Sequence, residues 1–187
     1  MIDINDIKKN TKVLIDGAPY TTIEFEHVKP GKGSSFTRCK MRNLKTGQLL
    51  ERTFKSGEKF EEPNLENKDM QYLYAEGEML TFMDSTNYEQ VMVNKSILGD
   101  QARFLKENLD CSVLFWDEKP LTIELPMYVI LPITYCEPGF KGDTATGGSK
   151  PATLEGGLVV NVPLHMKEGD MLKIDTRTGD YVEKVNK

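Results

Sequence analysis

The feature that most constrains this chain is how often it interrupts itself. Lys12–Ile15 stops at Asp16-Gly17, and a second apolar-polar segment, Tyr20–Val28, follows at once. In that segment Ile23 and Phe25 alternate with Thr22, Glu24 and Glu26, the period of a half-buried strand. Residues 28–34 form a turn region, Ser35–Arg42 a return strand, residues 43–47 another turn and Leu49–Phe54 a further strand. Several short strands separated by Gly, Pro, Asn and Asp predict a small barrel rather than a helical or open α/β fold.

The pattern continues. Residues 61–68, polar and holding Pro63, read as a linker or a domain edge. Strands are expected at Met70–Ala75, Met79–Met83, Cys111–Phe115 and Leu121–Leu125. Between them, Leu98, Ala102, Leu105 and Leu109 fall on one helical face and predict one helix over Ser96–Asp110. Strands plus one helix fit an oligonucleotide-binding-type barrel. In the last third Tyr128–Cys136 is a strand in which Pro132 signals an edge or a bend. Residues 139–157 read as a long loop, Leu158–Pro163 as a strand, and Met171–Asp175 with Tyr181–Val185 as a hairpin. The residues alone do not establish a repeat between the middle and last thirds.

A chain of 187 residues leaves room for three modules of about 60 residues each. No run of apolar residues reaches membrane-spanning length, and Met1–Asp6 lacks the basic and apolar parts of a signal peptide, so the cytosol is the expected compartment and no membrane partner is expected. Cys39, Cys111 and Cys136 are far apart and form no C-x-x-C pair; they read as small buried hydrophobes. His27 and His165 are too few and too separated for a metal cluster.

Net charge is −5, but its distribution is uneven. Residues 1–60 hold 12 Lys+Arg against 7 Asp+Glu, a net of +5; residues 61–187 hold 12 against 22, a net of −10. A basic module on an acidic body is either the footprint of a protein presenting one end to phosphates or chance charge scatter. On Ser35–Arg42 the residues Phe36, Arg38, Lys40 and Arg42 share one face and Thr37, Cys39 and Met41 the other. The first face is either an RNA-contacting stripe or an ordinary solvated face.

Two Gly/Lys segments invite a nucleotide-binding reading and neither supports it. Residues 31–34 lack the earlier glycine, and in Gly142–Gly147 the next residue is Gly148 rather than Lys. No nucleophile-base pair, paired-carboxylate signature or metal-ligand spacing is present, so no enzyme and no cofactor is expected. In Lys29-Pro30-Gly31-Lys32-Gly33-Ser34 the proline stiffens the approach and the glycines leave the backbone unhindered. Lys32 then projects from a hairpin end, where it is either a solubilising turn lysine or a side chain meant for a narrow site.

At this tip the sequence resembles a known family. Residues 27–33 with Phe36, Arg42–Gly47, Thr53-Phe54 and Ser56–Lys59 are similar to the first domain of bacterial elongation factor P. Met70–Tyr74 and Phe82–Asp84 resemble its second domain. Glu137–Gly139, Lys141–Thr144, Lys150–Ala152, Gly157–Pro163 and Glu168–Asp170 resemble its third. The resemblance runs nearly end to end. It implies a mainly β protein of three small barrels, an SH3/KOW-like domain at 1–65 and two oligonucleotide-binding folds at 66–126 and 127–187, in an L-shaped, tRNA-like arrangement. It implies a monomeric, non-catalytic factor that binds the ribosome between the peptidyl and exit sites and relieves stalling at proline runs by positioning peptidyl-tRNA. Lys32 corresponds to the tip residue, which a lysine-modifying enzyme extends by β-lysylation or an aminopentanol group in some members. Gly142, Asp143 and Thr144 correspond to a loop at the exit-site codon on the small subunit. The chain departs from the pattern at its end, where Tyr181-Val182-Glu183-Lys184 puts Lys184 in place of a frequent arginine, and at Ser34-Ser35. A paralogous factor and a general single-stranded RNA-binding protein are the competing readings.

Overall fold

The computed structural model describes residues 1–139 and 148–186, and the regular secondary structure there is strand apart from three short 3-10 turns. It divides into two compact units, Met1–Asn67 with Leu114–Thr122, and Lys68–Val113 with Ile123–Lys187.

The first unit is built on β1 (Ile2–Asp3), β2 (Lys12–Ile15), β3 (Ala18–Val28), β4 (Phe36–Asn43), β5 (Leu49–Lys55) and β6 (Lys59–Phe60). Strands β2-β3-β4-β5 form an antiparallel meander, and β1 pairs with β6. Alternate residues of β2 and β4 turn inward, so Val13, Ile15, Cys39 and Met41 meet Ile4, Ile7 and Phe54 in one core. Each such side chain contributes on the order of 2 kcal/mol through burial. β3 departs from simple alternation. Its register slips between Thr22 and Glu24, so Thr22 is buried, Ile23 half-buried, and Phe25 is 39 % exposed. A bulge inserts one residue and reverses the faces beyond it, which the even period of the sequence does not reveal.

Two five-stranded antiparallel sheets follow. The first comprises β7 (Leu65–Glu76), β8 (Met79–Asp84), β9 (Gln90–Asn94), β10 (Asp110–Trp116) and β11 (Lys119–Glu124), in the order β11-β10-β7-β8-β9. The second comprises β12 (Tyr128–Cys136), β13 (Ser149–Leu154), β14 (Val159–Pro163), β15 (Met171–Asp175) and β16 (Tyr181–Val185), in the order β14-β13-β12-β15-β16. The connectivity is the same in both. A long first strand is central, the next two flank it on one side and the last two on the other. The bulges coincide as well, between Tyr72 and Tyr74 on β7 and between Ile133 and Tyr135 on β12. The repeat is a repeat of topology, carried by different side chains.

Four sequence expectations are corrected. The helix over 96–110 is replaced by two 3-10 turns, Lys95–Ile97 and Gly99–Phe104. Gly99 takes φ +57 and Asn108 φ +70, both outside the helical region. Leu98, Leu105 and Leu109 are buried as their spacing predicts, without a helix, and Phe104, outside that spacing, is buried with them. Residues 65–68 are not linker but the start of β7. Part of the expected loop at 139–157 is β13, whose inward positions are Lys150, Ala152 and Leu154. The lysine there and Pro151 hide its alternation; the ammonium is satisfied by donating to the Glu137 carbonyl at 2.6 Å. Finally, Pro132 lies on a central strand rather than an edge. β12 pairs with β15 through Pro132 and with β13 from Ile133 onward, so the proline marks the change of partner.

No helix is long and apolar enough to cross a membrane, and no group of three or more His, Cys, Asp or Glu poised for a metal occurs among the described residues. All three cysteines are buried. Burial pushes the Cys39 thiol up to about 11, and burial together with Asp110 pushes Cys111 up to about 12. The thiolate is the reactive form, so native-state labelling of Cys39 and Cys111 by a disulfide reagent at pH 8 is expected to be about 100-fold slower than in denaturant. Equal rates in the two states would show that these thiols are accessible.

Candidate nucleic-acid interface

The β3–β4 hairpin carries the residues singled out at the tip. Lys29, Gly31, Lys32, Gly33 and Ser34 are exposed and Pro30 is half-buried. Gly33 has φ +100, in the region that favours glycine, and Pro30 Cγ lies 4.0 Å from where its Cβ would be. The tip folds over its own proline and leaves Lys32 in solvent. Below it the hairpin is braced. His27 Nδ1 hydrogen-bonds Thr37 Oγ1 at 2.8 Å across the strands, the Phe25 and His27 rings meet edge-on at 5.2 Å, and the Arg38 guanidinium lies over Phe36 at 5.4 Å. A cationic side chain at the end of a rigid stem can be delivered to a position without spending its own binding energy on ordering the stem.

Along β4, Phe36, Arg38, Lys40 and Arg42 point away from the core, while Thr37, Cys39 and Met41 are buried. The sequence shows no acid among these cations, but the sheet supplies them from the neighbouring strands. Glu24 and Glu51 stand opposite Lys40, and Glu26 stands opposite Arg38 at 3.9 Å. Arg42 faces Thr21 and Leu49. The stripe is therefore a cation row flanked by carboxylates, open at the Arg42 end and at the hairpin tip. Glu24, Glu26 and Glu51 are the sequence-distant residues that complete it; only pairing register brings them in, so no local motif could have identified them. They line an open groove of about 410 Å³ with Phe25 and Thr53.

Gly142, Asp143 and Thr144 lie outside the described residues. Lys184, the departure at the chain end, is placed clearly: its ammonium lies 3.4 Å from Asp170 Oδ1, while Asp170 Oδ2 accepts from the Lys167 N–H at 3.0 Å. Tyr181 is half-buried opposite Ile174. The Lys167 N–H foremost, and Lys184 with it, hold the Asp170 carboxyl below its ordinary value of 3.8, against burial, which pushes it up. A depressed carboxylate contributes stability above its unfolded value and loses it as pH falls through the folded one. The thermal midpoint of Asp170→Asn is expected below that of the unsubstituted protein at pH 7, with the gap closing below about pH 4. A gap independent of pH would show that the carboxylate charge is not what holds this corner.

Other cations of the last sheet are also engaged. Lys173 pairs with Glu183 at 3.5 Å and lies 4.5 Å from the Tyr128 ring, and Arg177 pairs with Asp175 at 2.8 Å.

Comparison with known proteins bears on the whole chain. Residues 3–60 match the family described as elongation factor P KOW-like domain, residues 65–123 the elongation factor P OB domain, and residues 129–184 the elongation factor P C-terminal domain. The chain is 50 % identical over 185 residues to elongation factor P of Natranaerobius thermophilus, covering 99 % of this chain and 98 % of that one. It is 50 % identical over 186 residues to elongation factor P of Bdellovibrio bacteriovorus, covering 100 % and 99 %. Among solved structures it is similar in fold to a eukaryotic translation initiation factor 5A from Methanococcus jannaschii, with TM-score 0.56 and 21 % identity over 66 % of this chain and 91 % of that one.

Proposed function

The chain belongs to the elongation factor P family of translation factors, and on that premise we propose that it binds the ribosome between the peptidyl and exit sites and speeds peptide-bond formation at proline runs. The observation that carries the reading is the braced β3–β4 hairpin, which ends in the exposed Lys32 between two glycines. In this reading, peptide-bond formation at proline runs is limited by poor placement of the reactants. A cation held beside RNA phosphates can fix peptidyl-tRNA in a reactive pose, and placement alone can remove several kcal/mol of a barrier. No proton transfer by the factor is required, so the role is non-catalytic.

In this reading Lys29–Ser34 contact peptidyl-tRNA, Arg38, Lys40 and Arg42 face ribosomal RNA, and Gly142–Thr144 meet the small subunit at the exit-site codon. The chain works in the cytoplasm as a monomer of three modules, 1–65, 66–126 and 127–187. Lys32 acts either as the bare ammonium or after extension by a lysine-modifying enzyme. The direct test is reconstituted translation of a message with three consecutive proline codons. Full-length product is expected to accumulate at least about tenfold faster with the protein present, a factor worth about 1.4 kcal/mol, and a proline-free control message is expected to be unaffected. Equal acceleration of both messages, or of neither, would overturn the reading.

The cation row has its own test. Neutralising Arg38, Lys40 and Arg42 to glutamine is expected to weaken binding to 70S ribosomes by about tenfold or more at physiological salt. The same change at Lys167, Lys173 and Arg177 should cost less, because those cations lie in the acidic part of the chain, residues 61–187, with 12 Lys+Arg against 22 Asp+Glu. Equal losses would remove the row from the interface.

A further inference from the structure

We propose that Glu24, Glu26 and Glu51 are specificity-determining residues: they cancel the centre of the cation row so that flexible single-stranded RNA binds poorly, while a rigid RNA surface that reaches both ends of the row binds well. The inference rests on the ribosome-binding reading above and deepens it.

The argument begins with pairing register. On an antiparallel sheet, directly opposed residues have Cβ atoms about 5 Å apart, close enough for opposite charges to neutralise one another locally. Lys40, half-buried, sits between Glu24 on β3 and Glu51 on β5. Arg38 sits opposite Glu26 and within 3.9 Å of its carboxylate. On the face of the row Glu24, Glu26 and Glu51 stand against Arg38 and Lys40; Arg52, which also lines the groove, stands opposite Cys39 and pairs with Asp16 at 3.7 Å. Exposed pairs of this kind contribute little to folding stability, so stability does not explain three carboxylates lodged in a phosphate-facing row. Their effect is on what the row can bind.

The ends of the row are different. Arg42 has Thr21 and Leu49 across the sheet rather than an acid, and beyond Phe36 come the exposed Lys29 and Lys32. Arg42 and Phe36 stand six strand residues apart, about 20 Å at strand rise. The cationic ends, Arg42 and the lysines beyond Phe36, are thus at least about 20 Å apart with a carboxylate-flanked stretch between them. A flexible strand gains only by laying successive phosphates along a continuous cationic track, releasing counterions at each. The flanking carboxylates remove the middle of that track. A folded RNA surface presents phosphates at fixed separations and can meet both ends without ordering anything between. Discrimination by placing an opposing charge against the wrong partner is a general route to specificity.

The test compares Glu24→Gln/Glu26→Gln/Glu51→Gln with Glu61→Gln/Glu62→Gln/Glu66→Gln, three exposed glutamates outside the row. The two variants have the same net charge. Binding of fluorescent poly(U) 20-mer is measured by anisotropy across a salt series, and binding to purified 70S ribosomes by pelleting. The first variant is expected to bind poly(U) at least about tenfold tighter at 50 mM salt than the unsubstituted protein, with a salt slope steeper by about 0.7 for each additional phosphate neutralised. The second is expected to shift less than about threefold, as distant exposed charges are screened beyond about 14 Å at this salt. Equal tightening in both variants would reduce the effect to net charge, and no tightening in the first would show that the carboxylates do not mask the row; either result overturns the proposal. The poly(U) arm does not involve the ribosome. Failure of the unsubstituted protein to bind 70S ribosomes would instead overturn the functional reading on which the proposal rests.

Discussion

Lys32→Ala is expected to abolish most of the acceleration at proline codons while leaving the protein as stable as before. The expected rate loss is at least about tenfold, equivalent to about 1.4 kcal/mol or more of barrier. The reason is geometric. Lys32 is exposed at the hairpin tip, and the core of its unit, Ile4, Ile7, Val13, Ile15, Cys39, Met41 and Phe54, lies elsewhere. Removing the side chain takes nothing from the core, and surface changes of this kind fall within about 0.5 kcal/mol of neutral. Function and fold separate cleanly at this residue. Lys32→Arg keeps the charge but exchanges a flexible ammonium for a planar fork and removes the amine that an acylating enzyme would use. If charge alone positions the tRNA, arginine retains activity; if an extension of the amine is required, arginine behaves as alanine does. The mass of the Lys32-containing peptide from protein made in its own host decides between these. An added mass on Lys32 identifies the modifying chemistry, and an unshifted lysine means either that the bare ammonium suffices or that the tip has another role. Undiminished proline-run synthesis by Lys32→Ala would remove the tip from the mechanism altogether.

How far the fold can be read from the sequence depends on what each signal measures. Turn chemistry and period-two alternation are local, and they locate β2, β4, β12, β15 and β16 with little error. Burial is legible too: Leu98, Leu105 and Leu109 are in the core as their spacing demands. The step that fails is the one from burial to conformation. Helical spacing describes which residues face inward, and two 3-10 turns broken by Gly99 satisfy the same requirement. The strand β13 escapes for the opposite reason, because an inward lysine and a proline disguise its period. At the candidate site the tip and the cation row are legible, since both lie on one continuous segment. The acidic flank is not. Glu24 and Glu51 reach Lys40 only through the registers of β3 and β5, and the β3 bulge shifts one of those registers by a residue. A one-residue slip moves every side chain to the other face.

The same limit hides the glycine whose replacement should cost the most. Gly156-Gly157 reads in the sequence as loop punctuation, two equivalent residues in a turn. In the structure both have left-handed backbone, φ +89 and φ +88, yet their surroundings differ. A Cβ at 157 meets nothing within 4 Å, whereas a Cβ at 156 would overlap the backbone carbonyl oxygen of Arg103, with the carbonyl carbon 3.1 Å away. That carbonyl belongs to the 3-10 turn Gly99–Phe104, whose Phe104 is 2 % exposed and lies 3.8 Å from the Cβ position of Gly179. Gly157→Ala therefore carries only the left-handed backbone strain, about 1–2 kcal/mol. Gly156→Ala carries the same strain and must also push the turn at Arg103 away from the turn between β13 and β14. Backbone cannot swing aside as a side chain can, so the expected total is about 3–5 kcal/mol, at the extreme of single substitutions. Urea unfolding of the two variants measures the difference directly. A cost at 156 exceeding that at 157 by about 2 kcal/mol or more attributes it to the close approach, and equal costs would show that the two turns part without penalty. The approach joins the second sheet region to the third within one compact unit. A Gly156→Ala protein that folds at low temperature but no longer accelerates proline-run synthesis would show that this packing matters to function as well as to stability.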